Sequence, residues 1–200
     1  PKHLDPARSY SSNEWAFISQ IYEPPLQYHY LKRPYSLVPL TADDMPEIVT
    51  IGHDGQQLDN DAPAADVAFT DYIIRIRPGI RYQPHPALAR KPDGSFAYWP
   101  LSAEVLGDVE ALADFVQTGT RELLAEDYVY QIKRLAYRLN HSPVASLMAE
   151  HIRGFAAFAD EAEKAQKAIG AEQGKSAWLD LRDIDMAGVE VIDRYTYRVR

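Results

Sequence analysis

Phe17, Ile18, Ile21 and Tyr22 recur at helical spacing behind an S-x-x-E capping box, Ser11 to Glu14. The pattern predicts a short helix over 11–22, ended by Pro24 and Pro25. Residues 26–31 read as a short strand, and Pro34 and Pro39 break the stretch after it. A weak alternation over 47–51 suggests a second strand. Asp-Gly, Asp-Asn-Asp and Pro63 make 53–65 a loop. Residues 66–77 form the clearest strand, with Phe69, Ile73, Ile74 and Ile76 among β-branched and aromatic neighbours. Pro78-Gly79 then turns the chain, and a return strand is expected over 80–83.

The interval 84–121 is less regular, with prolines on both sides of His85 and a helix expected over 102–115. Residues 124–139 predict a helix whose apolar face is Tyr128, Ile132, Leu135 and Leu139. Its acids lie early and its bases late, as the helix dipole favours. Ser142-Pro143 opens another helix towards Phe155. Residues 156–171 are rich in Ala, Glu, Lys and Gln and read as a surface helix with Phe158 and Ile169 as apolar points, stopped by Gly174. Two strands, 189–192 and 195–199, flank Asp193-Arg194. No repeat or low-complexity linker interrupts the chain.

Two hundred residues can bury a sizeable core. A net charge of −8 argues against broad nucleic-acid binding, which concentrates Lys and Arg on phosphates. The absence of cysteine excludes disulfides, thiolate metal sites and a cysteine nucleophile. No apolar run approaches the roughly 20 residues that span a bilayer. The six histidines include no i, i+4 pair and no H-E-x-x-H, so no metal ligand is assigned. No phosphate loop or nucleophile elbow occurs. Asp43-Asp44 and Asp59-Asn60-Asp61 read as solvated loops without EF-hand spacing.

Five segments in order resemble the extracellular solute-binding proteins of family 5, the peptide, dipeptide and nickel receptors of bacterial ABC importers. They are Leu4-Asp5-Pro6; Gln20 to Pro24; Tyr72 to Ile80; Leu124 to Leu135, with Ser142-Pro143-Val144 after it; and Gly188 to Arg200. Pro25 stands where the family has Leu, and Leu124 where it has a Thr that caps the helix. Residues 84–122 fill an interval that is short in the family. The resemblance implies an α+β fold: a type II periplasmic-binding-protein-like lobe I fragment. A mixed sheet with flanking helices would carry a smaller strand-rich subdomain over about 46–155, with an insertion near 84–122. Residues 1–200 would then be a partial amino-terminal lobe, the second lobe lying outside them.

The function so implied is capture of oligopeptides or similar small solutes in the periplasm, by closure of two lobes, for delivery to the permease subunits of an ABC transporter. No catalysis and no cofactor is implied. By position the ligand would meet Tyr10, Ser11 and Ser12, after the first motif, and Val144, after the long helix. Each has a plainer explanation: Ser11 as a cap, Tyr10 as a staple, Ser12 as a first-turn residue and Val144 as core. Two other classes stay open: an interaction or signalling module that keeps the lobe fold, supported by the insertion, and a hydrolase, supported only by scattered acids and histidines.

Overall fold

Among the described residues, a two-stranded hairpin and a five-stranded sheet carry the strands. The computed structural model describes residues 2–59, 61–102, 106–107, 109–174 and 177–200. Helix α1 spans Ser12–Ile21, and Pro24 and Pro25 lie just beyond its end as the sequence requires. Strands β1 (Leu26–Tyr28) and β2 (Leu37–Pro39) pair antiparallel, Leu26 opposite Pro39. The strand expected over 26–31 is therefore half as long, and its partner lies between two prolines. Strands β3 (Glu47–Gly52), β4 (Gln57–Leu58), β5 (Val67–Arg75), β6 (Val189–Val191) and β7 (Thr196–Val199) form the larger sheet. Its order is β4-β3-β5-β7-β6 and every pair is antiparallel. The expected mixed sheet is thus corrected, because each strand returns beside a partner of opposite direction.

Helix α2 (Ala125–Ala136) packs on β6, β7 and helix α4 (Phe155–Gln173), with the short helix α3 (Ala145–His151) between the two in sequence. Leu124 supplies no capping side chain. Asp127 compensates by accepting the Leu124 N–H at 2.9 Å, so the helix starts where it was expected. The buried residues of α2 are Ala125, Val129, Lys133 and Ala136. The expected apolar face is displaced: Tyr128, Ile132 and Leu135 are half-buried and Leu139 is exposed beyond the helix end. Small residues take the closest approach, since α4 presents Ala159 and Ala162 together with Phe155 and Phe158. The same contact corrects α4 itself, which is half core and not a surface helix. Ile74, Ile76, Leu181, Ile184, Met186, Val189 and Tyr197 complete this core.

One face of the sheet meets α2 through Tyr197, whose ring stacks on Tyr128 at 5.7 Å. The opposite face carries charge. Asp71 on β5 is buried and accepts two hydrogen bonds from Arg200, at 2.6 and 2.7 Å, with Arg198 at 3.7 Å. Arg198 also reaches Glu190 at 2.5 Å. Phe69 lies beneath the guanidinium groups of Arg153 and Arg200.

The chain divides into two compact units, residues 1–77 with 124–200, and residues 78–123. In the first unit β3 pairs with β5, β5 pairs with the later strand β7, and α2 packs on β7. The second unit nearly coincides with the expected insertion. Its two ends run side by side: Leu123 donates to the Ile80 carbonyl, Tyr82 to Arg121, and His85 exchanges hydrogen bonds with Gly119. Only isolated bridges form here, at Arg81 and His85, so 80–83 is not a regular strand. Pro84 and Pro86 lack the N–H groups a longer ladder would use. The helix expected over 102–115 lies partly outside the described residues, and Leu112–Asp114 within it is a 3-10 turn.

Among the carboxylates that bind fewer protons in this fold than in the unfolded chain are Asp71, Asp5 and Glu14. Hydrogen bonds from Arg200 hold Asp71 below the usual range. Burial pushes Asp5 up, but the hydrogen bond and charge of Arg134 and the Ala7 N–H bring it net below. Hydrogen bonds from Ser11 and Ser9 lower Glu14 most of all. Lowered folded values stabilise the protein fully above the unfolded values, about pH 4 to 4.5, and lose that contribution as pH falls through them. The melting temperature is expected to be flat from pH 8 to about 5.5 and to fall steeply below about 4.5. A scan of melting temperature against pH checks this; a flat profile to pH 3 would contradict it.

Candidate functional site

The amino-terminal segment is an ordered turn fixed at two points. Asp5 accepts the N–H groups of Arg8 and Ser9 on its carbonyl and that of Ala7 on its side chain. Its carboxylate also receives a forked pair of hydrogen bonds from Arg134 of α2, at 2.6 and 3.0 Å. Two motifs far apart in sequence, Leu4-Asp5-Pro6 and Lys133-Arg134, are joined by this ion pair. The Gln20 to Pro24 motif is joined to α2 as well: Tyr128 donates to the Glu23 carbonyl at 2.8 Å and sits 2.6 Å from the buried Thr41 hydroxyl.

Glu14 is the second fixing point. It is 6% exposed, and it gathers hydrogen bonds from residues on both sides of the turn. Its Oε1 accepts from the N–H groups of Lys2 (2.8 Å) and His3 (3.1 Å). Its Oε2 accepts from the Ser9 hydroxyl (2.8 Å) and from the N–H groups of Tyr10 and Ser11 (3.4 Å each). The capping residue of the sequence is thus the anchor of the whole segment. A carboxylate has two oxygens to serve these donors, whereas an amide has one. Glu14→Gln is expected to speed hydrogen exchange at the Tyr10 and Ser11 amides while α2 keeps its protection. Unchanged exchange at those amides would contradict the assignment.

On this base the chain displays aromatic and apolar side chains to solvent. Helix α1 buries only Glu14 and Ile18. Tyr10 is 79% exposed and Trp15 62%, and Phe17, Ile21 and Tyr22 are exposed too. Ser11 and Ser12, at the helix start, are exposed. Tyr10, Ser11 and Ser12 therefore lie together on one fixed surface. Val144 is the half-buried residue that opens α3, and its carbonyl accepts the Met148 N–H. Among the described residues no hydrogen bond or ring contact joins Val144 to residues 10–12. Helical periodicity gives Trp15 no role; its place next to the capping acid Glu14, with Tyr10 on the other side in sequence, is the signal that marks it.

Two clefts lie along α2. One, about 360 Å³, is lined by Tyr130, Arg134, Tyr137, Asn140, Gln166 and Trp178 among others. Much of its polar lining is occupied internally. Tyr137 donates to Gln166 at 2.7 Å, Gln166 to the Ala177 carbonyl at 3.0 Å, and Asn140 to the Arg134 carbonyl at 2.8 Å. Burial raises the Tyr130 and Tyr137 hydroxyl pKa values, which keeps both protonated. The other cleft, about 240 Å³, is lined by Glu126, Val129, Tyr130, Lys133, Arg182 and Val191. Lys133 is 7% exposed and donates to the Arg182 carbonyl at 3.4 Å. Burial lowers its pKa, and Asp185 and Asp180 oppose that shift. Among the described residues no group of three or more His, Asp or Glu is placed to hold a metal ion, and no helix is long and apolar enough to cross a membrane.

No protein-family model and no curated protein matches the chain. Solved structures similar to it include the following two. One is Listeria monocytogenes OppA bound to peptide, at 13% identity and a TM-score of 0.47, covering 98% of this chain and 24% of that one. The other is MppA, a periplasmic murein tripeptide binding protein in its unliganded open form, at 17% identity and a TM-score of 0.49, covering 100% of this chain and 24% of that one. The chain thus spans about a quarter of the length of the solved structures it matches.

Proposed function

We propose that this chain is part of the amino-terminal, type II periplasmic-binding-protein-like lobe of a family 5 solute-binding protein. In this reading it captures oligopeptides or similar small solutes outside the cytoplasm, in the periplasm, and hands them to the permease subunits of an ABC importer. It binds and does not catalyse. Tyr10, Ser11, Ser12 and Val144 line the ligand side of the lobe, with Trp15 beside them, and a second lobe outside residues 1–200 closes over the ligand. The observation that carries the reading is the buried Glu14, which accepts hydrogen bonds from Ser9, Tyr10 and Ser11 and so fixes the segment that bears the exposed Tyr10 and leads into Trp15. Exposed aromatics on a fixed backbone bind with little ordering cost. The order of the five motifs adds support, since the first, second and fourth meet on α2.

The test uses the complete gene product that contains this chain. A ligand that binds only the native state raises its melting temperature by mass action. A shift is expected with pools of short peptides and none with sugars. No shift with peptides, amino acids, sugars or nickel, in a well-folded protein, would overturn the reading. Weight would then pass to the interaction module, which the separate unit 78–123 favours.

A further inference from the structure

We propose that the β1–β2 hairpin is a peripheral docking tip for an anionic lipid bilayer. Four of its large side chains are open to solvent: Tyr30 is 89% exposed, Leu31 77%, Tyr35 69% and Tyr28 67%. Lys32 and Arg33 stand among them, both exposed. The protein carries 29 acidic residues, yet residues 24–42 contain none. The tip is therefore a local positive, aromatic patch on a chain of net charge −8. Screening confines each charge to about 10 Å at 0.1 M salt, so an approaching surface responds to the patch and not to the total.

The tip is built and not loose. The His29 ring nitrogen Nδ1 accepts the N–H groups of Leu31 and Lys32, both at 3.2 Å. Tyr28 and Tyr35 meet edge to face at 5.9 Å across the hairpin. The Arg33 guanidinium lies 4.4 Å from the Tyr35 ring centre and donates to the Tyr30 and Lys32 carbonyls. A rigid partner would need a matching hollow for side chains so exposed, whereas a headgroup layer deforms around them. Tyrosine suits that layer, ring towards the acyl chains and hydroxyl among the headgroups. Lysine and arginine beside it meet the lipid phosphates. The hairpin's role as a docking tip does not rest on the solute-binding reading.

The experiment is flotation of the purified protein with vesicles of phosphatidylglycerol and phosphatidylcholine, against vesicles of phosphatidylcholine alone. Binding is expected only with phosphatidylglycerol and is expected to weaken in high salt. Lys32→Gln with Arg33→Gln should weaken it roughly 30-fold, at about 1 kcal/mol per basic residue. Tyr30→Ser with Leu31→Ser, at positions too exposed to affect folding, should abolish retention at moderate salt. No flotation of the unaltered protein with phosphatidylglycerol would overturn the proposal. So would flotation of both double variants equal to that of the unaltered protein, or capture on polyglutamate beads without any flotation, which would assign the tip to an acidic protein partner.

Discussion

Gly188→Ala is expected to destabilise the first unit by at least about 3 kcal/mol, the upper end of what overpacking costs. An added Cβ at Gly188 would lie 2.4 Å from the Arg153 carbonyl oxygen, 2.8 Å from the Arg200 carbonyl oxygen and 2.9 Å from the Arg153 nitrogen. All three are backbone atoms, so no side chain can swing aside. They are also bonded to one another: Arg153 donates to the Arg200 carbonyl at 2.9 Å, and Arg200 to the Gly188 carbonyl at 2.7 Å. Relief of the clash requires breaking that ladder where the corner between α3 and α4 crosses the end of β7. Urea denaturation of the variant measures the loss. A midpoint equal to that of the unaltered protein would show that the three backbones do not approach so closely.

Asp71→Ala is the second large effect, about 3 kcal/mol, since it leaves the half-buried Arg200 guanidinium without its counter-charge, while Arg198 keeps Glu190. Arg200 and Arg198 keep side-chain exposures of 19% and 28%, which lets water recover part of the loss. Asp71→Asn preserves shape and removes charge, so it should recover less than half of the difference. Thermal melts of both variants at pH 7 decide it. Equal stability of the unaltered protein and the alanine variant would reduce the cluster to a surface feature.

These two positions show how far the sequence was readable. Gly188 opens one of the family-like motifs, but its reason, three backbones meeting, joins residues distant in sequence and lies in no local pattern. Asp71 interrupts an apolar strand, and its partners stand at the far end of the chain. Strands β3, β5, β6 and β7 and helix α1 were legible because their periodicity and terminators are local. Strands β2 and β4 were not, being short and set among prolines and loop residues. The buried face of α2 was misplaced because alanines and the Lys133 stem make its closest contacts. Gln166 in α4 has the character of a surface residue, yet Tyr137 and the Ala177 carbonyl satisfy its amide inside the fold. Of the candidate site, Tyr10, Ser11 and Ser12 are consecutive exposed residues and Val144 is half-buried at the start of α3. The anchoring reach of Glu14 exceeds any capping pattern, because Lys2 and His3 approach it only through the turn at Asp5.

The central claim is that the surface fixed by Glu14 binds solute. The most direct measurement is calorimetric titration of the complete gene product with the peptide class that raises its melting temperature, repeated for Tyr10→Ala and Trp15→Ala. The account predicts saturable binding that weakens at least about tenfold, or 1.4 kcal/mol, in each variant. Binding of equal strength in all three proteins, or none in any, would contradict it.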